Sequence, residues 1–153
     1  ARRSADGRDD GRIQRFLEAM WTKDKLTDGE VHALMMIAMA ATYDPHPRDP
    51  LGFRMPVNLA TGALIPARWR RWKDNDPVEM LRHHVAALKS MKGIYIDCGW
   101  RDQYHLHYGA RMLSLELARR GIRHVYEEFD DTHSSIDYRM DVSLPVLYRA
   151  LKP

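Results

Sequence analysis

The chain has 153 residues, of which 44% are hydrophobic and 29% charged, as is typical of a soluble globular piece of one domain's size. No apolar run approaches the length of a membrane span, and the N-terminal sequence ARRSADGRDDGR lacks the apolar core of a signal peptide, so no membrane partner is predicted. The formal net charge of +3 is small, and the single cysteine, Cys98, excludes an intrachain disulfide; the compartment stays undetermined, with the cytoplasm slightly favoured.

The first predicted elements are a polar N-terminal segment and two helices. Residues 1–10 offer no apolar periodicity, which predicts a disordered or frayed segment. Thr27 and Glu30 fit a capping box before a second helix, Val31 to Tyr43, which is apolar on nearly every side. Such a helix needs cover all round, so we expect it to be deeply packed or to lie against something this chain does not supply. The first helix, about three turns from near Asp10, has its apolar residues at helical spacing: Ile13, Phe16, Leu17, Met20 and Trp21.

A connecting segment is predicted next, and with the two helices it makes residues 11–75 a helical, cap-like segment. The prolines of DPHPRDP, Asp44 to Pro50, end the second helix, and an irregular or hairpin-like stretch is expected to reach Ile65. In ARWRRWK, Ala67 to Lys73, basic and aromatic residues interleave as in nucleic-acid-binding segments. The pattern is more typical of a solvated helix face with its tryptophans packed inward, so no nucleic-acid partner is predicted.

The remainder, residues 76–153, alternates predicted helices and strands. Asp76, Pro77 and Glu79 combine a capping acid, a first-turn proline and an acid favoured by the helix dipole, which marks a helix start. The residues expected to face inward are Val78, Leu81, Val85 and Leu88 on this helix and Met112, Leu113 and Leu117 on the next. The further elements are a strand Ile94–Asp97, a helix from about Tyr104 to Arg120 ended by Gly121, a strand His124–Phe129 and a helix from about Ser135 to Leu151 that Pro145 kinks or restarts.

This alternation predicts an α/β layer with parallel strands. Two strands are too few for such a layer, because a free two-stranded parallel sheet leaves an edge and apolar faces exposed. We therefore expect the chain to be part of a larger domain with an incomplete parallel sheet, and a free chain to form homo-oligomers.

Ionisable residues crowd the end of the first strand in GIYIDCGWRDQYHLHYG, Gly93 to Gly109. Ligands in parallel α/β sheets bind beyond the carboxyl ends of the strands. Asp102 follows the first strand and His133, in FDDTHSS, follows the second, so their loops should share one edge of the sheet. A carboxylate there can accept a hydrogen bond from the imidazole and stabilise its protonated form. Asp97, which precedes the turn at Gly99, is expected to be structural.

IDCGWRDQ, followed after one helix by YEEFDDTHSSIDYR, resembles the C-terminal end of the α/β-hydrolase fold in one esterase family. That family includes S-formylglutathione hydrolases, feruloyl-type esterases and siderophore esterases. Its D-x-G-x-x-D strand end presents the second aspartate as the triad acid, and a later H-S dipeptide supplies the triad histidine. The resemblance implies that Asp102 is the acid, His133 is the base and the substrate is a small-molecule ester. AMAATYDP and WKDNDPVEM also resemble this family, so the match runs from about Val31 onward, although only the two triad loops are specific.

The nucleophile of that family is missing. The triad order in this fold is nucleophile, acid, histidine, with the nucleophile in a G-x-S-x-G elbow, and no serine here sits in one. Cys98 lies inside a strand pattern, where a small buried thiol is the ordinary interpretation. We therefore expect the C-terminal part of a serine carboxylesterase, with the elbow and the N-terminal half of the hydrolase domain upstream of Ala1.

Other interpretations remain open. The chain could be a non-catalytic α/β-hydrolase-like binding or assembly module, or, on ARWRRWK alone, a nucleic-acid binder. Asp102 could simply cap the following helix, and His133 could be a surface histidine. No metal or other cofactor is expected, because neither neighbouring histidine pair, His83 with His84 or His105 with His107, has the i, i+4 spacing that puts two ligands on one helical face.

Overall fold

The computed structural model of the protein describes residues 11–152, so the predicted N-terminal segment 1–10 lies outside the described residues. The described residues divide into two compact units, one up to Asp76 and one from Pro77 onward. The first contains α1 Arg12–Met20, α2 Asp28–Tyr43 and α3 Pro66–Lys73; the second contains α4 Pro77–Ser90, β1 Tyr95–Gly99, α5 Leu106–Arg119, β2 Val125–Phe129 and α6 Met140–Leu151, with a 3₁₀ turn at Asp137–Arg139. Within the described range, no helix combines the length and the apolar character that crossing a membrane requires.

The capping box at the start of α2 is confirmed. Thr27 Oγ1 accepts a hydrogen bond from the Glu30 amide, and Glu30 Oε2 accepts one from the Thr27 amide at 2.9 Å. The expected deep packing of α2 is not found among the described residues. Its one fully buried residue is Ala40, whereas apolar residues elsewhere on the helix, Val31, Met35 and Met36, are exposed.

The core of the N-terminal unit forms where α2, α3 and the connecting stretch meet. Ala40, Phe53 and Trp72 are its buried members. The carboxylate of Asp44, at the end of α2, is buried and pairs with the guanidinium groups of Arg54 and Arg71. The stretch up to Ile65 is hairpin-like, as predicted, with isolated antiparallel bridges of Pro45 with Phe53 and Val57 with Leu64.

The C-terminal unit is built on a two-stranded parallel sheet of β1 and β2. Successive β1 residues face opposite sides. Ile96 packs on a core formed by α4, α5 and the start of the next connection, whose buried members are Leu81, Leu117 and Ile122. Tyr95 and Asp97 instead bond to Arg139 in the 3₁₀ turn. The prediction of a mixed helix and strand unit with parallel strands is therefore confirmed at this coarse level.

Trp69 and Met112, both predicted to face inward, are exposed, and so is Trp21, which helical spacing groups with the apolar residues of the first helix. Trp21, the C-cap residue of α1, is 89% exposed, and Trp69 on α3 is 39% exposed. Met112 on α5 is 57% exposed. The core side of α5 is occupied by Leu113 and Leu117, and adjacent helical residues point about 100° apart, so Met112 turns away from it.

The two helices that follow the strands begin later than predicted. α5 begins at Leu106, because Asp102 to His105 form a turn before it. The final helix begins at Met140, after the 3₁₀ turn, and Pro145 lies inside it without restarting it.

We expect the free chain to self-associate. Several large apolar side chains on α5 and α6 are at least half exposed, namely Leu106, Tyr108, Met112, Leu115, Met140, Leu144, Tyr148 and Leu151. The sheet of the described residues has only two strands, so each strand also presents an unpaired edge. Sedimentation velocity at rising concentration should show dimers or larger species, and a monodisperse monomer throughout would contradict this prediction.

Candidate active site

The candidate site lies at the carboxyl ends of β1 and β2, where the two following loops are bonded together. The Trp100 amide donates to the Phe129 carbonyl at 2.9 Å, and the Arg101 amide donates to the Asp131 carbonyl at 3.1 Å. Gly99 makes this approach possible, because a Cβ there would lie 2.3 Å from the carbonyl oxygen of Asp131. The loops that carry Asp102 and His133 therefore meet at one edge of the sheet.

The two predicted site residues contact each other directly. Asp102 is only 3% exposed, and its Oδ2 lies 2.9 Å from Nδ1 of His133. Its other oxygen, Oδ1, accepts from the amides of Tyr104 at 2.8 Å and Leu106 at 3.3 Å. Asp102 thus caps the start of α5 and contacts the histidine at once, one oxygen for each, and the cap fixes the direction in which the carboxylate faces His133.

The charge state of Asp102 suits an acid that holds a histidine. Burial raises the pKa of the Asp102 carboxyl, but hydrogen bonds from His133, Leu106 and Tyr104 outweigh burial and leave the pKa below its ordinary value. An ionised Asp102 carboxylate can only accept a hydrogen bond, so Nδ1 of His133 must carry a proton. In the neutral ring, Nε2 is then the nitrogen that can accept a proton. The His133 side chain is 47% exposed, so a reactant can approach the ring.

Around the pair, a small cavity and further contacts complete the site. The cavity has a volume of about 190 Å³ and is lined by Asp102, His133 and neighbours that include Leu106 and Ile136. The ring of Tyr104 stands edge-on to the His133 ring, with centroids 5.0 Å apart. Leu106, Ile136 and the Tyr104 ring thus supply apolar surface beside the pair.

Gln103 was missed by the sequence reasoning. Its Oε1 accepts from the His133 amide at 3.0 Å, and its Nε2 donates to Ser134 Oγ at 3.4 Å. An exposed glutamine carries no signal in periodicity or charge. Only its place directly after Asp102 could have suggested that it reaches the same loop.

Asp97 lines the same cavity but has a different partner from the one expected. Instead of fixing the turn at Gly99, it accepts from Arg139 Nε at 2.9 Å. Arg139 also donates to Glu127 Oε2 at 2.8 Å and to the Tyr95 hydroxyl at 3.0 Å. The guanidinium therefore ties both strands to the 3₁₀ turn that follows the histidine loop, and Asp97 belongs to that structural network.

No hydroxyl bonds to His133 within the described residues, and the nearby thiol is a poor substitute. Cys98 Sγ lies 3.9 Å from Asp102 Oδ2. Burial raises the pKa of the Cys98 thiol, and the negative charge of Asp102 raises it further, so the thiol stays protonated. The thiolate is the nucleophilic form, which removes Cys98 as a candidate nucleophile.

A second serine and histidine pair occurs in the same unit. Ser114 Oγ lies 2.8 Å from His124 Nε2, and His124 Nδ1 lies 3.0 Å from the Ile122 carbonyl, to which it donates. A neutral carbonyl stabilises a charged imidazole less than a carboxylate does. Ser114 therefore lacks the acid-supported base that Asp102 and His133 form.

Two other sequence features, the basic segment ARWRRWK and the possible metal-ligating side chains, form no site among the described residues. In α3, Trp72 is buried in the core, Arg71 pairs with Asp44, and Arg68 donates to the Met55 carbonyl at 3.1 Å, so much of ARWRRWK is used internally. Across residues 11–152, no group of three or more His, Cys, Asp or Glu side chains is placed to hold a metal ion.

Comparisons with known proteins do not assign the chain: no protein-family model matches it, and no curated protein shows significant similarity to it.

Proposed function

We propose that this chain is the C-terminal part of a serine carboxylesterase with an α/β-hydrolase fold. Asp102 is its triad acid and His133 its base, and the nucleophilic serine comes from the N-terminal half of the hydrolase domain, outside this chain. One observation carries the proposal: a buried carboxylate and an accessible imidazole, from the ends of neighbouring parallel strands, lie 2.9 Å apart. The motif resemblance noted in the sequence supports the same assignment.

The chemistry is acyl transfer in two steps. In acylation, Nε2 of His133 takes the proton of the serine hydroxyl as its oxygen attacks the ester carbonyl, and the imidazolium then gives that proton to the leaving alcohol or thiol. In deacylation, His133 takes a proton from water, whose oxygen attacks the acyl-enzyme, and returns it to the serine. Throughout, Asp102 keeps Nδ1 protonated and stabilises the imidazolium.

The chain alone is expected to show no esterase activity that depends on His133. It should hydrolyse p-nitrophenyl acetate no faster than its His133→Ala variant, because no elbow serine is present. His84→Ala, which removes an exposed histidine of α4, is the matched control for background reaction at imidazole. A clear turnover lost in His133→Ala would place the nucleophile inside this chain, and a further Ser114→Ala variant would then test the second pair.

Covalent labelling tests the complete polypeptide. A fluorophosphonate probe reacts with serines activated by a histidine, and peptide mapping identifies the labelled residue. The proposal expects one labelled serine in a G-x-S-x-G elbow outside these residues, with labelling lost in His133→Ala and kept in His84→Ala. Absence of labelling and of ester hydrolysis in the complete polypeptide would instead support the alternative, a non-catalytic binding or assembly module.

A further inference from the structure

We propose that Gln103 is a positioning residue that holds the main chain of the histidine loop while its neighbour, Asp102, holds the histidine ring. The catalytic importance of this arrangement rests on the proposed function. The contact itself does not, and it can be tested without any hydrolysis.

The chemistry of the donors fixes how the Gln103 amide is oriented. A main-chain N–H can only donate, so the atom of Gln103 that lies 3.0 Å from the His133 nitrogen must be the side-chain oxygen. The amide nitrogen then faces Ser134 Oγ, at 3.4 Å, and donates to it. One side chain thus bonds to two consecutive residues of the opposite loop.

The histidine loop needs such a restraint. His133 and Ser134 lie between the end of β2 and the 3₁₀ turn, outside regular structure. Ser135 has a φ of 58°, a left-handed conformation that is strained for a residue with a side chain and persists only where the surroundings hold it. With the His133 side chain nearly half exposed, packing alone restrains the loop weakly.

Asp102 and Gln103 act on the same residue from one loop. Asp102 is anchored by its bonds to the Tyr104 and Leu106 amides, so the position of Gln103 follows from the same turn. The ring and the main chain of His133 are therefore both held by residues of the same turn. This fixes the separation and angle of Nδ1 and Oδ2. Loss of the Gln103 contact leaves the ring bond in place but lets the loop move about it.

Substitutions of Gln103 can separate the effect of the hydrogen bond that it accepts from the His133 amide from the effect of its size. Gln103→Met keeps the length of the side chain but cannot accept the bond, and Gln103→Lys can only donate. Gln103→Glu keeps both contacts, because one carboxylate oxygen accepts from the His133 amide and the other from the Ser134 hydroxyl. Ser134→Ala removes only the longer contact. Gln103 is exposed, so these changes leave the core untouched.

The first measurement is proton NMR of the chain labelled with ¹⁵N-histidine. An Nδ1 proton bonded to a buried carboxylate resonates far downfield of the amides, and His133→Ala assigns it. Gln103→Met and Gln103→Lys should broaden or abolish this signal and speed exchange of the His133 amide by at least about tenfold, whereas Gln103→Glu and Ser134→Ala should keep it. An unchanged signal and exchange rate in Gln103→Met and Gln103→Lys would overturn the inference.

The second measurement is kinetic, on the complete polypeptide. Gln103→Met should lower kcat by about 10 to 100-fold with little change in KM, as a small misplacement of a catalytic group does. Gln103→Glu should restore kcat and move the acid limb of the kcat/KM profile to higher pH, because the added carboxylate favours the charged imidazole. A merely structural glutamine would lower thermal stability but leave the kcat of the folded Gln103→Met protein unchanged. If the NMR result holds while no polypeptide hydrolyses esters, the proposed function fails and the positioning role stands.

Discussion

Asp102→Asn is expected to lower kcat of the complete enzyme by about 10⁴, with almost no change in thermal unfolding. The oxygen of the new amide can keep the bonds from the Tyr104 and Leu106 amides, so the start of α5 stays capped. Its NH₂ group then faces His133 and donates to Nδ1. That forces the proton onto Nε2, the atom that has to take the proton of the serine.

Asp97→Asn is the matched control, because it makes the same chemical change five residues earlier on the same strand end. Asp97 bonds to Arg139 and not to His133, and its side chain is 19% exposed. Losing its charge leaves Arg139 less fully paired between the strands and the 3₁₀ turn. We expect a loss of stability of about 1–2 kcal/mol and a kcat close to that of the unchanged enzyme.

For each variant, kcat at saturating substrate is measured together with thermal unfolding. The two measurements distinguish a triad acid from a structural residue. Asp102 should affect kcat alone and Asp97 stability alone. If Asp97→Asn abolished turnover at unchanged stability while Asp102→Asn was mild, the acid role would move to Asp97. The 2.9 Å contact of Asp102 with His133 would then have no catalytic meaning.

The pairing of Asp102 with His133 could be expected from the sequence because it depends on topology. Once one helix is seen to connect two strands, the strands run parallel and the loops after them share an edge. The side-chain contacts across that edge, in contrast, could not be expected from the sequence. Gln103 bonds to a residue 30 positions away and Arg139 to one 42 positions away, and no periodicity within a single sequence encodes such contacts.

The exposed apolar residues Trp21, Trp69 and Met112 and the incompletely buried helix α2 have one cause in common. Helical spacing identifies which residues share a face, but it does not show whether anything covers that face. Trp21 and Met112 are apolar by type and exposed in the structure, and α2 is apolar all round yet buries only Ala40 completely. Apolar residues are common at protein surfaces, so an apolar side chain is weak evidence of burial.

Gly99→Ala is expected to destabilise the C-terminal unit by about 3 kcal/mol or more, at the upper end for overpacking. The added Cβ would lie 2.3 Å from the Asp131 carbonyl oxygen and 2.7 Å from that of Thr132, distances that real Cβ atoms do not show. Both obstacles are main chain, which cannot rotate aside. They cannot withdraw easily either, because the Arg101 amide bonds to that same Asp131 oxygen and Gly99 is paired with Phe129 in the sheet.

Gly109→Ala is the control for adding a methyl group to a glycine of this unit. Gly109 lies inside α5, and a Cβ there would meet nothing within 4 Å. Alanine favours helix over glycine by about 1 kcal/mol, so this variant should unfold at the same temperature as the parent chain or slightly higher. Gly99→Ala should unfold more than about 10 °C lower, by the usual relation of free energy to midpoint for a unit of this size. Circular dichroism melts of the parent chain, Gly99→Ala and Gly109→Ala measure these unfolding temperatures.

The same substitution bears on the site, because the main chain displaced by the methyl group leads directly into His133. Any fraction of Gly99→Ala that stays folded must move Asp131 and Thr132 outward, and the histidine moves with them. The downfield Nδ1 proton should then be lost in the folded fraction, while Gly109→Ala keeps it. A Gly99→Ala chain that melts with the parent and retains this proton would show that the two loops do not approach as closely as the 2.3 Å distance requires.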